Sequence, residues 1–155
     1  MNLETLRSKI DEIDKKIVWL LNQRCQIVAE VGKTKMRGDK KIYVPEREKF
    51  VLDRLDKMNK DGQLPSKALR AIYREIMSAS IALEKPLRVA YFGQKASFTH
   101  LAAYAKFGHA VEYSAKAAIP DVFNDVDAER YDYGVVPIEN STEGVVNHTL
   151  DMLVN

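Results

Sequence analysis

At 155 residues the chain has room for one domain or two small ones. Its 46% hydrophobic and 30% charged residues exclude a disordered or fibrous class. The formal net charge of +2 hides an asymmetry: residues 1–85 hold 19 Lys+Arg and 13 Asp+Glu, whereas residues 86–155 hold 5 and 9. The basic front half predicts an anionic ligand. Its cations are interleaved with acids along helices, without the dense Lys/Arg run and aromatics of a nucleic-acid binder. No run of about 18 apolar residues exists, so no membrane-spanning helix is predicted. The charged N-terminus lacks the apolar stretch of a signal peptide. Cys25 is alone, which rules out an internal disulfide and fits a reducing compartment, with the cytoplasm as the expectation.

Residues 3–36 read as one helix with Asn2 as its N-cap. Leu3, Leu6, Ile10, Ile13, Ile17, Leu20, Ile27 and Val31 form an apolar seam, interrupted by Arg24. At 1.5 Å per residue the helix is roughly 50 Å long, more than a compact domain of about 90 residues spans. Such a helix needs a partner, and a second copy of the chain supplies one. Arg37-Gly38-Asp39 ends it. A second helix opens at Pro45 and runs to about Lys60, with Glu46 and Glu48 near its positive end. A third runs from Ser66 to the residues before Pro86.

After Pro86 the pattern changes. Strands are predicted at Val89–Phe92, Val111–Ser114 and Tyr133–Pro137, alternating with helices at His100–Phe107 and Ile119–Glu129. That alternation implies a parallel sheet. The polar run Glu139-Asn140-Ser141-Thr142-Glu143-Gly144 reads as a loop leading into a last helix. Three strands make a poor independent core, so residues 86–155 are expected to begin a larger domain. His100, His109 and His148 lack metal-ligand spacing and are expected at the surface or in caps; no metal is predicted.

A guanidinium in an apolar seam needs either a protein carboxylate or a bound anion. The seam alone leaves both open. Lys35 lies 11 residues beyond Arg24, about 20° away around the axis, and so shares its face. Ser80 and Glu84 are i,i+4 on the third helix and share another. Arg7 is about 25 Å from Arg24 along the helix and can reach that pocket only from an antiparallel partner.

Leu6-Arg7-Ser8-Lys9-Ile10-Asp11, Leu20-Leu21-Asn22-Gln23-Arg24, Val31-Gly32-Lys33-Thr34-Lys35 and Glu46-Arg47-Glu48 resemble the all-helical (AroQ-type) chorismate mutases. The resemblance covers residues 1–85 and implies a three-helix domain in an intertwined homodimer formed through the long helix. It carries substrate-binding roles to Arg7 (from the other subunit), Arg24, Lys35, Arg47, Glu48, Ser80 and Glu84. Lys35, Glu84, Arg24 and Glu48 take the catalytic parts. The implied reaction turns chorismate into prephenate by a unimolecular pericyclic rearrangement, without a nucleophile or cofactor. The site must hold the compact conformer and stabilise charge in the transition state. Arg forks suit the two substrate carboxylates. Lys35 suits the ether oxygen. Glu84, where many members have Gln, can donate to that oxygen only when protonated. Val44 departs from the Asp of some members.

Val89-Ala90-Tyr91-Phe92-Gly93 through Ser97-Phe98-Thr99, and Pro137-Ile138-Glu139-Asn140-Ser141, resemble the prephenate dehydratases. Gln94-Lys95-Ala96 departs from that family's Pro-containing, Gly-rich stretch. The resemblance implies an incomplete periplasmic-binding-protein-like lobe in residues 86–155. Substrate contacts are implied at Ser97, Thr99, Asn140 and Ser141, although Ser97 and Thr99 are also ordinary helix caps. The family's Thr-Arg-Phe motif and regulatory domain are not in the chain, so no dehydration of prephenate is expected from it alone. A different class of reading is a non-catalytic helical dimerisation module carrying an α/β ligand-binding segment. A pure coiled coil would keep an apolar residue at position 24.

Overall fold

The computed structural model describes residues 2–36, 44–140 and 144–154. The side chains of Lys35, Met36, Glu84, Asn140 and Val145 lie outside that description. So do Arg37-Gly38-Asp39 and Ser141, on which sequence expectations had fallen.

The front half is three helices. Helix α1 spans Leu3–Met36. The Asn2 Oδ1 accepts hydrogen bonds from the Thr5 amide at 2.9 Å and the Thr5 hydroxyl at 2.7 Å, which satisfies donors the helix start leaves open. Helix α2 covers Pro45–Met58, with Pro in its first turn and Glu46 and Glu48 facing the positive end. Helix α3 covers Ser66–Glu84. Leu52 and Leu55 on α2 are buried. Arg70 of α3 clamps α2 by donating to Asp53 at 2.8 Å and to Asp56 at 2.7 Å. Only part of α1 finds cover within the chain. Its contacts with α3 lie in the C-terminal half, whereas the N-terminal seam faces outward, with Ile10 56% and Ile17 46% exposed.

The second half is α/β. Strand β1 (Arg88–Phe92), helix α4 (Phe98–Phe107), strand β2 (Glu112–Lys116), helix α5 (Ile119–Asp127) and strand β3 (Tyr133–Val135) follow in order. The sheet order is β2-β1-β3 with both pairs parallel, and Ala90 sits opposite Ser114 and Gly134. Central β1 buries Val89, Ala90 and Tyr91, as expected for a strand covered on both faces. The core of Leu87, Val89 and Ala103 also takes in Ile81 from α3 and Phe107 from α4. The helical and α/β parts therefore pack through shared apolar side chains. Among the described residues no helix is long and apolar enough to cross a membrane.

Three expectations are corrected. Strand β3 stops at Val135 instead of reaching Pro137. The run expected as a loop contributes a short antiparallel ladder, β4 (Glu139–Asn140) with β5 (Gly144–Val145), before helix α6 (Asn147–Val154). This end is pinned by Thr149, whose hydroxyl donates to the Pro137 carbonyl at 2.7 Å. His100 is buried, not superficial, between the rings of Tyr91 and Tyr104 at 4.7 and 4.3 Å. Its Nδ1 accepts from the Ala96 amide at 2.9 Å. That bond holds Ala96 at φ +69, a left-handed conformation that costs a non-Gly residue about 1–2 kcal/mol.

Helix α5 lies close against the sheet because position 134 is Gly. A Cβ there would sit 2.6 Å from Val122 Cγ1. Gly134→Ala should therefore lower stability by about 1–3 kcal/mol in chemical denaturation, and Val122→Ala in the same chain should recover part of the loss. Asp125 on α5 is 8% exposed and binds Lys116 and Arg130, each at 2.6 Å. Lys116 first and Arg130 second hold its carboxyl below the usual carboxylate range. A lowered folded-state value stabilises above the unfolded value of about 3.9, and that stability is lost as pH falls through the lowered value. Asp125→Asn should flatten the pH dependence of unfolding below about pH 4, leaving a slope set by other groups.

Candidate active site

A cleft of about 360 Å³ opens where α1, α2 and α3 meet the corner between α4 and β2. Apolar walls come from Ile27, Val28, Val31, Val51, Met77 and Ile81. Among the described residues the charged lining consists of Arg24, Arg47, Arg54, Arg74 and Lys106 against one carboxylate, Glu48. Five cations facing one anion make the cleft a trap for an anionic guest, and apolar walls strengthen each charge interaction.

Arg24 lies at the contact of α1 with α3. Its Nη1 donates to the Ser80 Oγ at 2.5 Å, and the Ser80 hydroxyl donates in turn to the Ile76 carbonyl at 2.6 Å. Ser80 is 2% exposed. Its one proton is committed to the helix backbone, so its lone pairs face the guanidinium. Among the described residues no carboxylate forms an ion pair with Arg24. Among the described residues the protein partner of this seam arginine is a hydroxyl.

Helix α2 enters the cleft through its first three turns. Arg47 holds its guanidinium carbon 5.3 Å from the Phe50 ring centre, one turn along. Val44 caps the helix without a side-chain bond, so an Asp in its place would also serve as an N-cap. The Glu48 carboxylate sits 3.3 Å from Lys106 Nζ. Arg74 Nε is buried without a hydrogen-bond partner.

The α/β part is held to α3 beside the cleft. Glu75 accepts from the His109 amide at 3.0 Å and meets its Nδ1 at 2.8 Å. Ser78 Oγ accepts from the Ala110 amide at 3.2 Å. Partial burial pushes the Glu75 carboxyl up, but the hydrogen bonds and charge of His109 outweigh it and hold the group below the usual carboxylate range. Gly108 turns this corner at φ +80, where a Cβ would lie 2.6 Å from that of Ser78.

Of the residues singled out in the sequence, Arg24, Arg47, Glu48 and Ser80 come together. Lys35 lies on α1 and Glu84 ends α3, with their side chains outside the description. Arg7 is exposed near the far end of α1 and does not line the cleft. Ser97 caps α4 by accepting from the His100 amide at 3.3 Å, and Thr99 follows in the first turn; neither reaches the cleft. Sequence reasoning missed Arg54, Arg74 and Lys106. Arg54 stands seven residues after Arg47, two helical turns on the same face, and that spacing could have found it. Arg74 shares a face with Ser78 and Ile81 by the same rule. Lys106 enters from another part of the fold and has no local signal.

Comparisons with known proteins agree with this arrangement. The family model described as chorismate mutase type II matches residues 6–85, and the prephenate dehydratase model matches residues 89–155. The chain is 47% identical to the bifunctional chorismate mutase/prephenate dehydratase of Aquifex aeolicus, over 98% of this chain and 43% of that protein. Against the proteins of the same name from Pseudomonas aeruginosa and Escherichia coli K12 the identities are 44% and 33%, over 96% and 97% of this chain. The chain spans 42–43% of the length of these curated relatives. The chain belongs to the type II chorismate mutase family and continues into a segment similar to the prephenate dehydratases.

Proposed function

We propose that residues 1–85 form a mutase domain that rearranges chorismate to prephenate, on the route to phenylalanine, and that residues 86–155 are the opening part of a dehydratase domain acting on that product. The cationic cleft carries the first reading: among the described residues five cations and one carboxylate line it, and Arg24 is aimed by a hydroxyl. The rearrangement makes and breaks bonds within one molecule, so the protein's work is to hold a conformer and place charge. In this scheme Arg24 takes one substrate carboxylate and Arg7 of the partner subunit the other. Ser80 keeps Arg24 in place. Arg47 adds positive potential, and Glu48 receives the ring hydroxyl. Lys35 and protonated Glu84 donate to the ether oxygen as negative charge grows there. No cofactor takes part.

A homodimer completes the site. The exposed seam of α1 supports it, since side chains the size of Leu or Ile contribute about 1.5–3 kcal/mol each when fully buried. An antiparallel partner helix would cover the seam and bring its Arg7 toward the cleft. The cytoplasm is the proposed setting, in line with the lone Cys25.

Purified protein should consume chorismate and accumulate prephenate; a chain that leaves chorismate untouched is the dimerisation module instead. Arg24→Ala should lower kcat/KM at least about 100-fold, the worth of two charge-assisted hydrogen bonds at about 1.5 kcal/mol each. Its circular dichroism should stay helical. Sedimentation should give twice the chain mass, and Ile10→Glu with Ile17→Glu should abolish dimer and activity together. A monomeric, active wild type would defeat the shared-site scheme.

A further inference from the structure

The mutase cleft has a wall that does not belong to the mutase helices. Lys106 and Phe107, in the last turn of α4, and Val111, just before β2, all line it. The corner carrying them is fastened to α3 by the bonds from His109 and Ala110 to Glu75 and Ser78, and by the close approach of Gly108. Leu87 and Ile81 tie the same region together from below. Lys106 therefore stands over the cleft on a braced support.

Its contact is specific. The Glu48 side chain is 9% exposed, and Lys106 Nζ lies 3.3 Å from its Oε2 while remaining half exposed itself. A carboxylate with so little access to water calls for compensating charge, and Lys106 supplies part of it. Four arginines line the same cleft, and each is a competitor for that carboxylate. A Glu48 drawn onto a guanidinium would neutralise a fork that a dianionic substrate needs, and would leave its own acceptor position. Lys106 comes from the α/β wall of the cleft, whereas Arg24 is held at the α1–α3 contact.

On the mutase reading above, we propose that Lys106 of the α/β part is a positioning residue of the mutase site, holding Glu48 where it receives the substrate hydroxyl and away from the carboxylate-binding arginines. The α/β part then acts on the first reaction before it handles any product. Glu48 meets the hydroxyl in ground state and transition state alike, so losing its position weakens binding more than it slows the bound complex.

The test uses the full chain. Steady-state kinetics with chorismate are compared for wild type, Lys106→Met and Lys106→Arg, each with Glu48 intact and with Glu48→Gln. Lys106→Met should raise KM about tenfold with kcat within about twofold, the pattern of lost uniform binding. Lys106→Arg should restore KM to within about threefold, since it returns a charge of the same sign. With Glu48→Gln in place, Lys106→Met should change KM by less than about twofold. An unchanged KM in Lys106→Met overturns the proposal, as does an equal rise in the Glu48→Gln chain, which would make Lys106 a mere prop of the wall. If Lys106→Met does not fold, Lys106→Gln takes its place under the same criteria. Wild-type turnover is read first, so failure of the mutase reading stays separate from failure at Lys106.

Discussion

Everything in the helical half turns on one guanidinium placed inside a helix contact, with no carboxylate paired to it among the described residues. Arg24 occupies a position where packing alone would select Leu or Ile. Its protein partner is a hydroxyl that has already spent its proton on the Ile76 carbonyl. A neutral partner fixes direction without cancelling charge. The cost of holding a cation there is offset by open access to the cleft and falls further once an anion arrives. Had α3 offered Asp at position 80, the fold would gain an ion pair and lose a ligand site.

The same helix serves two ends. Its C-terminal half is cleft wall, where Arg24, Ile27, Val28 and Val31 meet the other elements. Its N-terminal half carries an apolar stripe that stays exposed among the described residues. Helices draw little stability from propensity and most from packing, so an amphipathic helix of 34 residues depends on what covers its apolar stripe. Cleft wall and exposed apolar stripe are thus consecutive stretches of one rod. Whatever covers the stripe inherits a fixed distance and orientation to the cleft.

Legibility in the sequence followed the range of the interactions. The three helices and the alternating strands rest on local periodicity and on Pro and Gly punctuation, and they lie within a few residues of where patterns put them. Arg24 and Ser80 were readable from a residue type on a helical face, whereas Arg47 and Glu48 were read through the resemblance of Glu46-Arg47-Glu48 to a family motif. Long-range features were not. The burial of His100 depends on three tyrosines, one from each of β1, α4 and β2, which no local window brings together. The ladder of β4 with β5 follows a polar run whose composition resembles a plain loop. Ala96, in a stretch that departs from the dehydratase pattern, adopts a glycine-like angle through a bond to a side chain four residues on. Lys106 was invisible because its meaning comes from a neighbour 58 residues away.

Helix α3 meets both other helices and the corner of the α/β part. Within six residues it presents Glu75 and Ser78 to the α/β corner and Ser80 to Arg24, and Ile81 joins the core beneath the sheet. Only Lys85, Pro86 and Leu87 separate its end from the central strand. Helices are stiff over such spans, so α3 works as a camshaft: a rotation imposed at the corner turns the Ser80 hydroxyl through the same angle. Forces that open or close an α/β lobe would reach the guanidinium by rigid mechanics, without an intervening relay of side chains.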